Sequence, residues 1–141
     1  MARSDPLRPS LHGDPLKTAG VDFAALTGRI GHAFARPELA IEALTHRGAL
    51  DRRPDLKAAF PFGNERLEFL GDRVLSLAMS QQLLSRFPRE GEGHIARRYA
   101  VLVSAKVLGE IAGEIGLAGF LIGEGARKPT SAILADAVEA L

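Results

Sequence analysis

Five carboxylates stand at spacings suited to holding a hard divalent cation. Glu65, Glu68 and Asp72 fall at i, i+3 and i+7, and Asp136 and Glu139 at i and i+3. At 100° per residue the first three lie at about 0, 300 and 340°, one vertical stripe on a helix. Like charges so placed repel, by about 3 kcal/mol for two full charges 5.5 Å apart at an effective dielectric near 20. Helix stability therefore gives no reason for the stripe, although three helical acids alone also read as a solvated face that Arg66 and Arg73 partly neutralise. The second pair lies in Ile133 to Leu141, whose other residues are all Ala, Ile, Leu or Val. Such a helix must be mostly buried, and buried acids need partners. If the two helices pack side by side, Glu68, Asp72, Asp136 and Glu139 surround one cation with oxygens, the donor set of Mg²⁺ or, as a substitute, Mn²⁺. Calcium fits less well, since no EF-hand loop is present.

The elements that must position these acids are helical. A periodic segment from Asn64 to Phe87, stopped by Pro88, is the longest element, and Asn64 stands at its N-cap. Leu67, Leu70, Val74, Leu77, Ala78 and Gln81 occupy an arc of about 120 to 220° on its wheel. That arc is the expected core face, with the acids opposite. Gly71 marks a place of close approach, because glycine inside a helix costs about 1 kcal/mol relative to alanine. Phe69, near 40° on the wheel, lies off the core arc, where a partner surface would cover it.

Shorter helices are expected from Phe23, with Leu26, Ile30 and Phe34 on one side, and over Glu38 to Thr45, His94 to Leu102, Ser104 to Ile115 and Ala132 to Leu141. Residues 51 to 63, rich in proline and charge, read as a loop, and residues 123 to 131 as a flexible basic loop. No alternating run bounded by hairpin turns and no fixed-period repeat occurs, so the fold class is all-α. Residues 1 to 21 read as a flexible N-terminal tail and residues 22 to 141 as one domain.

Composition narrows the function classes. The 141 residues are 46% hydrophobic and 25% charged with net charge +1, so no bulk field draws polyanions and nucleic-acid binding must use local patches. Without cysteine there is no disulfide, thiol nucleophile or cysteine zinc site. No apolar run approaches the roughly 20 residues that span a bilayer, and no secretory signal opens the chain. A cytoplasmic protein with no membrane partner is the expectation. Gly28 to Gly31 lacks the strand and lysine of a phosphate-binding loop. His46 reads as a structural, hydrogen-bonded residue, because Mg²⁺ needs no imidazole; His12, His32 and His94 carry no visible signal.

The segment from Asn64 to Leu75, NERLEFLGDRVL, closely resembles the signature helix of the ribonuclease III family of double-stranded-RNA endonucleases. Three further stretches resemble that family in order: Ala43 to Arg47 before the signature, Phe87-Pro88 with Gly91-Glu92-Gly93 after it, and Ile133 to Leu141. Together they span about residues 23 to 141. The resemblance implies a helical endonuclease domain, truncated at its C-terminus, with catalytic metal ligands at Glu68, Asp72, Asp136 and Glu139. It adds Glu65 and Glu92 as further acids of a catalytic valley, so that Asp72, Glu139, Glu65 and Glu92 are candidate catalytic residues.

It also implies Mg²⁺-dependent hydrolysis of double-stranded RNA to 5′-phosphate and 3′-hydroxyl ends, in rRNA or mRNA processing. The enzyme would act as a homodimer joined through the helix of residues 64 to 87, with Phe69 at the contact. Candidate RNA contacts are Arg86, Arg89, Arg97, Arg98, Lys106, Arg127 and Lys128, each also readable as a solvated surface charge. Departures from the pattern are Gly48, where serine is common, the Pro129-Thr130-Ser131-Ala132 approach to the last helix, and the end of the chain two residues after Glu139. Family members usually continue with more helix and, in common bacterial enzymes, a separate double-stranded-RNA-binding domain. The final turn is thus expected to fray, with weak, strongly salt-dependent RNA binding. Two readings without chemistry stay open: a non-catalytic RNA-binding or ribosome-associated scaffold, and a helical dimerisation module with solvated acids.

Overall fold

A computed structural model describes residues 19–123 and 128–141. Among the described residues seven α-helices run in chain order: α1 (Phe23–Ile30), α2 (Pro37–Leu44), α3 (Pro54–Ala59), α4 (Glu65–Arg86), α5 (Glu92–Leu102), α6 (Ala105–Glu114) and α7 (Ser131–Ala140). Short 3-10 turns lie at Arg47–Ala49 and Leu117–Gly119. Among the described residues there is no sheet, only an isolated parallel bridge between Thr45 and Ile122, so the all-α expectation holds. No helix among them is long and apolar enough to cross a membrane.

Local chemistry sets the helix ends. Asp22 caps α1 by accepting the Ala25 N–H at 2.9 Å, and Gly31 ends it in the left-handed region at φ 70°. The helix expected from Phe23 therefore stops short of Phe34. Pro37 and Pro54 each open a helix, where a missing N–H costs nothing. The Ser104 and Thr130 hydroxyls accept N–H groups of Val107 and Ile133, both at 3.3 Å.

The core joins Leu26, Ile41, Leu44, Leu50, Leu56, Phe60, Ala112, Leu117, Ile122 and Ala137. Leu56 and Phe60 come from the segment read as a loop. Its residues 54 to 59 are helical, because Pro54 starts a turn that drives Leu56 inward. Ala19 and Val21, within the stretch read as a tail, are half-buried against this core; residues 1–18 lie outside the described residues.

Helix α7 lies between α6 and α4, and small residues let it in. Ala135 and Ala137 are buried on it, and a Cβ on Gly109 of α6 would come within 3.1 Å of Ser131. The expected core face of α4 is corrected by the structure. Of the expected arc only Leu67 is half-buried; Leu70, Val74 and Leu77 are exposed, as are Ala78 and Gln81, and the inward side is formed by Gly71, Leu75, Ser76, Met79 and Leu83. That side centres near 310° on the wheel, the side of Glu68 and Asp72. The acids thus face the domain interior, while the richest apolar arc of α4 faces outward. Hydrophobic content on the wheel misplaced the core because α7 brings its own apolar lining and asks of α4 mainly small size and close approach.

Candidate metal centre

The N-terminus of α4 is delivered by a clamp. Ile122 donates its N–H to Leu44 O at 2.9 Å and accepts that of His46 at 3.1 Å, and Asn64 N–H donates to Thr45 O at 2.9 Å. Thr45 is fully buried, its hydroxyl donating to Ile41 O at 2.6 Å. Asn64 occupies the N-cap position but its side chain makes no cap hydrogen bond, contrary to the sequence expectation; its Nδ2 is buried without a partner. Its backbone, with φ −83° and ψ −6°, is already helical rather than in the extended conformation that aims a cap side chain.

Three of the expected ligands meet. Glu68 of α4 and Asp136 and Glu139 of α7 each present a carboxylate oxygen, all within 4.8 Å of one another, and all three residues are half-buried. Burial is the main cause that pushes their carboxyls above the ordinary range. For Glu68 the charges of Asp136, Glu65 and Asp72 add to it, and for Glu139 those of Asp72, Glu68 and Asp136. The histidine charge at His46 works the other way on Glu68 and Asp136. His46 Nδ1 accepts the Gly48 N–H at 3.1 Å. The imidazole stands beside the acids and outside the group of three.

Gly71 explains how the two helices come close enough. A Cβ there would lie 1.6 Å from Glu139 O and 2.6 Å from its carbonyl carbon, so the last turn of α7 rests on the bare backbone of α4. That turn is formed, with Leu141 N–H donating to Ala137 O at 3.2 Å, where fraying was expected. Contact with Gly71 supplies the support that the sequence did not reveal.

The other candidate acids are held apart. Asp72 is half-buried next to the three, but its carboxylate accepts a hydrogen bond from Arg73. Glu65 pairs with Arg47 at 2.7 Å, a partner that sequence reasoning missed although Arg47 follows His46 in the same motif. Glu92 opens α5 beyond the far end of α4. Eighteen residues from Glu68 to Arg86 are roughly 27 Å of helix, so within one chain Glu92 does not join the cluster.

Arg86, Arg89, Arg97, Lys106 and Lys128 are exposed, and Arg127 lies outside the described residues. Arg98 is engaged locally: it donates twice to Glu90, at 2.7 and 2.8 Å, and covers the Phe87 ring at 3.9 Å.

Three half-buried carboxylates whose proton affinity is raised mainly by burial form a site short of positive charge, and their hard oxygens suit Mg²⁺ or Mn²⁺. The family model described as ribonuclease III domain matches residues 65–141. Ribonuclease 3 of Dinoroseobacter shibae is 42% identical over 127 residues, covering 85% of this chain and 52% of that protein. Ribonuclease 3 of Nitrosomonas europaea is 39% identical over 147 residues, covering 100% and 56%. The chain thus spans about half the length of the curated relatives it matches. A structure of the nuclease domain of ribonuclease III from Campylobacter jejuni, which concerns flexibility in a region involved in dimer formation, superposes with a TM-score of 0.73 at 32% identity. It covers 84% of this chain and 80% of that one. The family model, these relatives and the overall architecture agree, and the chain belongs to the ribonuclease III family.

Proposed function

We propose that this domain is a divalent-metal-dependent endonuclease that hydrolyses double-stranded RNA to 5′-phosphate and 3′-hydroxyl ends in rRNA or mRNA processing, working as a homodimer. The observation that carries this reading is the convergence of Glu68, Asp136 and Glu139 from two helices that Gly71 brings into contact. These three residues, joined by Asp72, would hold Mg²⁺, with Mn²⁺ as a substitute. The chemistry such an ion supplies when bound is water activation and neutralisation of charge on the scissile phosphate. Arg47 pairs with Glu65 one helical turn before Glu68. Exposed Arg86, Arg89, Arg97, Lys106 and Lys128 offer positive charge to phosphates, the main contacts that duplex RNA presents along with its 2′-hydroxyls.

The outward face of α4 supports the dimer. Phe69 is 67% exposed and Leu77 73%, and Leu70, Val74 and Leu84 stand open beside them. A groove of about 570 Å³ between α4 and α5, lined by Met79, Leu83, Val101 and Leu102 among others, adds further apolar surface. A second copy laid along α4 covers this surface and takes Phe69 out of water. Glu92, remote from the acids of its own chain, is available to a partner's site in such an arrangement.

The test is cleavage of an end-labelled RNA duplex. Wild-type chain with Mg²⁺ is expected to yield discrete products with 5′-phosphates, Asp136→Asn to leave the duplex intact, and chelation to stop the reaction. No metal-dependent cleavage at any protein concentration, or undiminished cleavage by Asp136→Asn, overturns the reading.

A further inference from the structure

Arg73 connects two features that the proposed function treats separately. Its guanidinium donates to the Asp72 carboxylate and lies 5.1 Å from the centroid of the Phe69 ring. On the α4 wheel Asp72, Phe69 and Arg73 stand at about 340, 40 and 80°, so Arg73 reaches the acid by crossing over the ring. Asp72 is near enough to Glu68 and Glu139 for its charge to help raise both of their carboxyls, yet its oxygens are not among the three that lie within 4.8 Å of one another. The carboxylate that would complete a fourfold oxygen set is turned toward a cation of its own chain instead.

We propose that Arg73 is a positioning residue that withholds Asp72 from the Glu68, Asp136 and Glu139 set in the single chain, and releases it when a second copy covers Phe69. This rests on the metal and dimer readings above. The Arg73 side chain is 62% exposed, and both of its attachments are weak in water, so exchanging them costs little. Covering the ring with an apolar surface changes that balance. A guanidinium held over Phe69 would have to enter the contact and lose its hydration, so it leaves the ring and with it its hold on Asp72. Self-association and metal binding then favour each other, as linkage requires of two events that share one side-chain rearrangement.

Mn²⁺ binding by paramagnetic resonance tests this at protein concentrations where sedimentation finds single chains. Simple repulsion between Arg73 and the ion would also tighten binding in Arg73→Met, so the informative quantity is what Asp72→Asn costs in each background. With Arg73 present Asp72 is withheld, and Asp72→Asn is expected to change Mn²⁺ affinity less than about twofold; in Arg73→Met it is expected to cost about tenfold or more. Mn²⁺ is also expected to tighten self-association of the wild type more than that of Arg73→Met. All the side chains changed are on the surface or beside the open site, and matched melting curves verify folding. An equal cost of Asp72→Asn in both backgrounds overturns the proposal while leaving the metal reading intact. Failure of every variant to take up Mn²⁺ overturns both.

Discussion

Substituting Gly71 with alanine sets two known effects against each other. Alanine is the better helix former by about 1 kcal/mol, so on α4 alone the change should stabilise. Packing opposes it: the new methyl would sit 1.6 Å from Glu139 O, 2.6 Å from its carbonyl carbon and 3.5 Å from Ala140 N. An ordinary contact needs about 3.5 Å, so the last turn of α7 has to retreat by about 1.5 Å or more. The atoms in the way are backbone and cannot swing aside, so the overpacking cost, about 1 to 3 kcal/mol, outweighs the propensity gain. The net loss of stability is modest, up to about 2 kcal/mol.

The consequence for the site is larger. Ligand positions must hold to within about 0.5 Å, and Glu139 and Asp136 move with α7. Gly71→Ala is therefore expected to lower Mn²⁺ affinity at least about tenfold, measured by calorimetric titration, while thermal melting still shows a folded chain. Gly113→Ala on α6 is the control, since a Cβ there meets nothing within 4 Å, and it should gain up to about 1 kcal/mol. If Gly71→Ala melts above wild type and binds Mn²⁺ undiminished, the close approach of α4 and α7 is not what assembles the site.

Three further outcomes are expected. Glu68, Asp136 and Glu139 hold their protons more tightly folded than unfolded, so their contribution to stability is full below the ordinary carboxylate range and is lost as pH rises through the raised values. Metal-free Asp136→Asn should accordingly melt above wild type at pH 7, by about 4 °C for each kcal/mol relieved, and the gap should close toward about pH 4; a gap that does not vary with pH contradicts this. Phe69→Asp should weaken self-association at least about tenfold by sedimentation without changing helix content, and an unchanged equilibrium removes α4 from the interface. Ser104→Ala should cost about 1 kcal/mol in urea unfolding through loss of the α6 cap, and a neutral result means that the hydrogen bond to Val107 N–H carries no weight.

Much of the site was legible in the sequence because its geometry is local to two helices. The spacing of Glu68 with Asp72 and of Asp136 with Glu139 follows from 3.6 residues per turn, and Gly71 was readable as a close approach before its neighbour was known. What was not legible depends on how helices face one another. The wheel of α4 assigns Leu70, Val74 and Leu77 to the interior because an apolar arc marks a richly hydrophobic face without showing which face the neighbouring helices cover. Leu56 and Phe60 were hidden in a segment whose proline and charge suggest a loop, although Pro54 serves there as a helix start. Spacing offered Arg73 as a neighbour to the acid stripe but not its choice of Asp72, and it did not show the pairing of Arg47 with Glu65, since side-chain direction is settled only in the assembled fold.

The most direct measurement is anomalous X-ray diffraction from crystals grown with Mn²⁺. A peak among the carboxylates of Glu68, Asp136 and Glu139, lost in Asp136→Asn crystals, is the result expected. An ordered structure with these three carboxylates in place and no anomalous peak between them would contradict the metal centre and the nuclease chemistry built on it.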